Sequence, residues 1–190
     1  MKATQCCGAV VEANIIRQGI IKPQNAIIHS IYDVEHWRNG VLLSHTIDRN
    51  TVTDEGLDAI LDIMFHGSTQ ITTWYVLIFE TDTTPSSATT YAVPVFTEST
   101  AYDEATRPAY DEAAASSQSM SNSASKATFT ISDTKTIYGA ALVGGGTDGD
   151  TKGDSAGGGT MYCASKFSSS KSCVDDDVIN VTITLTAADA

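Results

Sequence analysis

A single helix-forming segment inside a chain otherwise patterned for strands is the feature that most limits the possible folds. Residues 53–65 read Thr-Asp-Glu-Gly-Leu-Asp-Ala-Ile-Leu-Asp-Ile-Met-Phe. Thr53 can cap the first turn through its hydroxyl, and Asp54 and Glu55 stand where the helix dipole favours negative charge. Leu57, Ile60, Leu61, Met64 and Phe65 recur at helical spacing, which predicts one apolar face laid as a plug on a sheet. His66-Gly67 ends the segment, with Gly67 suited to a left-handed cap.

The remaining periodicity is that of strands. Residues 31–37 and 41–46 flank Asn39-Gly40, the pair that best tolerates the positive φ angles of a two-residue hairpin turn. Residues 72–80 place Trp74, Val76 and Ile78 on one face and Tyr75, Leu77 and Phe79 on the other. With both faces apolar, this strand is expected to be central. Residues 126–131 and 135–143, separated by Ser132-Asp133-Thr134, are expected to form a second hairpin, with further strands at 160–167 and 178–186. In the last of these Val181, Ile183 and Leu185 alternate with Asn180, Thr182 and Thr184. Strands at this spacing predict a mainly β fold, an antiparallel β-sandwich or jelly-roll-like barrel with one short helix.

Two segments fall outside that pattern. Residues 9–31 carry doublets of β-branched residues, among them Ile15-Ile16 and Ile20-Ile21, interrupted by Gly19 and Pro23. Such doublets suit an extended chain buried on both faces. The domain organisation is therefore read as an N-terminal arm over 1–30 and a β-domain over 31–190. The arm either adds to the sheet edge of a neighbouring subunit or forms an edge strand of its own domain. Residues 81–125 are too long for a plain connection. Their aromatic residues with Arg107 either bind a partner or pin the excursion to its own domain. Candidate partner-binding residues are thus Ile15, Ile16, Ile20, Ile21, Tyr102, Arg107 and Tyr110. A glycine-rich loop at 144–159 is a flexible surface loop or a close-packed subunit boundary.

At 190 residues the chain can bury roughly 70% of its unfolded surface in one domain without disulfides. Its 11 basic and 23 acidic side chains give a net charge of −12, which argues against a nucleic-acid partner, since phosphate binding draws on Lys and Arg. Of the four cysteines, Cys6 and Cys7 are adjacent, and neither Cys163 nor Cys173 has a spacing suited to zinc. Free thiols are expected, with a Cys163–Cys173 bridge as the alternative. No apolar run is long enough to span a membrane, and the N-terminal residues lack an export signal.

Apparent catalytic motifs do not survive inspection. Gly153-Asp-Ser-Ala-Gly157 matches G-x-S-x-G and looks like the nucleophile segment of chymotrypsin-like proteases. A serine nucleophile needs an oriented histidine, yet His29, His36, His45 and His66 all lie in the first third, none in an Ala-His-Cys context. Asp148, Asp150 and Asp154 begin like a calcium loop, but Lys152 stands where an oxygen ligand is needed and Gly159 where the bidentate Glu should be. Asp175-Asp-Asp177 is expected to be a solvated turn. No cofactor, metal or enzymatic activity is expected.

Residues 50–65 and 72–80, with Thr100-Ala-Tyr-Asp-Glu-Ala-Thr-Arg-Pro-Ala-Tyr110, Ser121-Asn-Ser-Ala-Ser-Lys-Ala-Thr-Phe129, Thr136-Ile-Tyr-Gly-Ala-Ala-Leu-Val143 and Asp177-Val-Ile-Asn-Val-Thr-Ile-Thr184, resemble a family of tailed-bacteriophage virion proteins. The resemblance runs from about residue 31 to 187. It implies a structural protein of the head without chemistry of its own; with the acidity and the missing catalytic motifs, a cement or decoration protein on the capsid exterior is expected. Its partners would be the major capsid protein and further copies of itself, as a dimer or trimer, assembled in the host cytoplasm. A neck, tail or fibre component, or a host-surface carbohydrate-binding module, is the alternative.

Overall fold

The structure, a computed structural model, describes residues 26–189. The expected arm residues Ile15, Ile16, Ile20 and Ile21 lie outside them. Among the described residues nine strands, all paired antiparallel, form two sheets, with one short helix. In the first sheet β1 (Ala26–Arg38) lies between β2 (Val41–Arg49) and β9 (Val178–Asp189), and β9 is flanked on its other side by β5 (Ser119–Ser121) and β6 (Ala127–Thr130). The second runs β3 (Thr51–Val52), β8 (Thr160–Cys173), β7 (Lys135–Gly144) and β4 (Trp74–Phe79). The mainly β, sandwich-like class is as the sequence predicts.

Alternation decides which residues enter the space between the sheets. Tyr32 and Val34 of β1, Ile179, Val181 and Ile183 of β9 and Phe129 of β6 meet Val76, Ile78, Ile137, Leu142 and Phe167 of the second sheet. The first hairpin forms where Asn39 and Gly40 take φ of 48° and 74°. These two positive angles match the strand twist, which few residue pairs other than Asn-Gly adopt cheaply.

Ala26 to Ser30, expected to end the arm, instead pair with β9, Ile28 opposite Ala187 and Ser30 opposite Leu185. The domain therefore begins inside the doublet region. The segment expected to be a central strand, β4, has β7 as its one strand partner among the described residues and stands at the sheet edge. Its two apolar faces are both buried because the 81–125 excursion folds back as a third layer. Tyr91 and Phe96 cover Leu77 and Phe79, with Phe79 and Phe96 stacked at 4.2 Å between centroids. The excursion also closes the open edge, Val76 N–H donating to Pro108 O and Ser99 N–H to Ile78 O.

The expected 126–143 hairpin does not form. β6 pairs with β9 and β7 with β8, so Ser132-Asp133-Thr134 crosses from one sheet to the other. β8 runs on past Phe167 to Cys173 through a serine-rich stretch that carries no strand signal. Pairing with Lys135, Thr136 and Ile137 holds it extended.

Candidate functional site

The helix α1 (Asp54–Leu61) starts where the sequence places it. Thr53 Oγ1 accepts from Gly56 N at 2.9 Å and itself donates to the carbonyl of Met161. Glu55 then binds two other segments, accepting from Met161 N at 2.7 Å and Tyr91 N at 2.9 Å. Gly56 is what lets the helix touch β8, since a Cβ there would lie 2.5 Å from Tyr162 O. A π-helical turn, Asp62–His66, follows, and Gly67 caps it at φ 78° as expected.

The buried face is not the expected one. Gly56, Ala59, Ile60 and Ile63 turn inward, while Leu57, Leu61, Met64 and Phe65 face solvent, Met64 at 66% and Phe65 at 80% exposure. The close approach at Gly56 fixes the rotation of the helix, and the π-helical turn shifts Met64 and Phe65 off the predicted stripe. Behind the helix, at the end of the sandwich, lies a groove of about 480 Å³ lined by Ile28, Ile60, Ile63, Trp74, Met120 and Leu185. The outward stripe of Leu57, Leu61, Met64 and Phe65 is an exposed apolar patch on the face opposite the groove, the kind that marks an interaction site.

Tyr102, Arg107 and Tyr110, offered as partner contacts, are buried inside their own chain, the second of the two uses considered for them. Arg107 is 1% exposed. Its guanidinium makes a two-pronged pair with Glu98 (2.9 and 2.6 Å) and donates to Tyr91 Oη, Gly149 O and Asp154 O. One side chain therefore ties the excursion to the glycine-rich loop. Burial works against its charge, but the Glu98 carboxylate more than compensates and raises its pKa. Tyr110 donates to Ile183 O at 3.2 Å, and Tyr102 packs edge-on against Phe129. Burial raises the pKa of both phenols.

The G-x-S-x-G serine has no histidine bonded to it among the described residues. His36 and His45 are paired with Asp177 and Asp33. Asp148, Asp150 and Asp154 do not converge on a common point among the described residues. Asp154 accepts from Tyr91 Oη at 2.7 Å and from the N–H groups of Gly157 and Ala156, which hold its carboxyl below the usual range.

Asp177, expected in a solvated turn, is a buried charge. Its side chain is 0% exposed and accepts from Arg38 Nε and Nη2 (2.7 and 2.8 Å) and Val174 N (2.9 Å), with His36 Nε2 at 2.8 Å. Burial works to raise its pKa, but these donors outweigh it and hold it far below the carboxylate range. His36, Cys173 and Asp177 lie close enough for one ion, yet the Arg38 fork already supplies the positive charge, and burial pushes the Cys173 thiol up to about 12. The cluster is built as an ion pair, with both carboxylate oxygens accepting from the Arg38 fork. Cys163 and Cys173 are both free and buried. No signal within 175–177 announces this site, because its partners lie on β1.

No family model, curated protein or solved structure matches this chain.

Proposed function

We propose that the protein is a structural component of a tailed-phage virion, a cement or decoration protein that binds the outer head surface and bridges neighbouring major-capsid subunits. The virion setting rests on the motif resemblance set out above. The observation that carries an interaction role is the outward apolar stripe of Leu57, Leu61, Met64 and Phe65. In a chain of net charge −12, such a stripe is costly in water and useful against an apolar patch on another protein. Each bound copy prefers the assembled shell and shifts assembly towards it by mass action. Acidity elsewhere keeps the free protein soluble until it docks.

Labelled protein imaged on intact virions, with its copy number measured, tests this reading. Copies over the head in the stoichiometry of the capsid lattice are expected. A single ring at the neck or tail would replace the cement role by the alternative, and absence from the virion would end both.

A further inference from the structure

Four strand edges terminate the two sheets, and three are protected in ways natural sheets commonly use. β3 is two residues long, β5 and β6 are three and four, and β4 is covered by backbone bonds from the excursion. The fourth edge, β2, is nine residues long and, among the described residues, pairs as a strand with β1 alone, although at its end Asp48 and Arg49 also accept from Ser168 N and Ser165 Oγ of β8. It carries no lysine or proline, and its one Asp and one Arg cancel in a chain that is otherwise strongly acidic.

The side chains of β2 are also turned the wrong way for a solvent edge. Val41, Leu43 and Ile47 face out, at 61%, 48% and 63% exposure, while Ser44, Thr46 and Asp48 face in. Ser44 Oγ and Thr46 Oγ1 are buried and have no hydrogen-bond partner among the described residues, a cost carried by this strand.

We propose that β2 pairs antiparallel with β2 of a second copy, joining the five strands of each copy into one continuous sheet. The register that pairs all nine residues has its two-fold axis at His45. In that register Leu43 stands opposite Ile47 of the second copy, twice over, and Ser44 stands opposite Thr46. The same alignment thus buries the exposed apolar residues of the two copies against each other. The apolar residues of the edge are met by their own symmetry mates, which is the self-complementarity a two-fold interface requires. This inference does not depend on the virion reading.

Sedimentation of the full-length chain over a concentration series should show a monomer–dimer equilibrium. Leu43→Lys, at an exposed position that leaves the core intact, should weaken it by about tenfold or more. His45→Cys, with Cys6 and Cys7 replaced by Ser, should form a disulfide dimer on mild oxidation, because residues facing each other across antiparallel strands lie within disulfide reach. Leu43→Cys alone should not, but should crosslink when mixed with Ile47→Cys. A monomer at every concentration, a dimer indifferent to Leu43→Lys, or a 43–43 crosslink in place of 45–45 would overturn the proposal.

Discussion

Replacing Asp177 by Asn removes one charge from the interior and leaves the shape nearly unchanged. The carboxylate takes two bonds from Arg38, one from Val174 N and one from His36. Asn has a single acceptor oxygen, and its amide nitrogen would point N–H groups at either Arg38 or His36. Breaking a buried pair by removing one partner costs about 3–5 kcal/mol. The Arg38 side chain is 37% exposed and can rehydrate, which puts the expected loss near the lower end, about 3 kcal/mol. For a domain of this size that lowers Tm by about 6–12 °C at neutral pH. The pH dependence follows from the depressed pKa of the folded carboxyl. Its contribution is complete above the unfolded value of about 3.9 and is lost as pH falls towards the folded value. Thermal melts by circular dichroism should therefore show the gap between wild type and Asp177→Asn closing as pH drops below about 5. A gap below 2 °C at neutral pH, or one that stays constant down to strong acid, would refute the assignment of Asp177 as a buried ionised anchor.

Three further perturbations have clear expected outcomes. Arg107→Ala strands the Glu98 carboxylate and unties two loops, so a loss of about 3–5 kcal/mol is expected, with new protease cleavage confined to 81–125 and 144–159. Gly56→Ala gains about 1 kcal/mol of helix propensity, but its Cβ meets the Tyr162 backbone. Overpacking of about 1–3 kcal/mol should win, and denaturant unfolding should show net destabilisation. The Cys163 thiol, pushed up to about 11 by burial, should resist a thiol-reactive dye in the folded state at pH 8 and react only on unfolding. Rapid labelling of the native chain would count against its burial.

What could be read from the sequence was local. The Asn39-Gly40 turn, the Thr53 cap, the Gly67 stop and the alternation of β9 each depend on residues within a turn or strand of one another, and each stands as expected. What could not be read depends on partners far along the chain. Both faces of β4 read as apolar, but the sequence does not say that Tyr91 and Phe96, not a second sheet, cover one of them. Residues 126–143 have the pattern of a hairpin, yet β6 and β7 find better partners in β9 and β8. Asp177 follows two ordinary surface aspartates and gains its role only because β1 and β9 lie side by side, which brings His36 and Arg38 to it. The helix misled for a similar reason, since five apolar residues outvoted one glycine. Closeness of approach at Gly56, not hydrophobicity, chose the buried face. Arg107, Tyr102 and Tyr110, candidate partner contacts from sequence, are instead buried in their own chain, where they pin the excursion.

The proposed cement role requires the apolar helix face to dock on a coat surface. Purified wild type and Phe65→Asp should be mixed with phage heads lacking the protein, and the bound fraction measured by cosedimentation. Burial of one large apolar side chain contributes roughly 2 kcal/mol, so the exposed Phe65 substitution should weaken binding by about 30-fold while leaving Tm unchanged. Equal binding of both proteins, or binding of neither, would contradict the account.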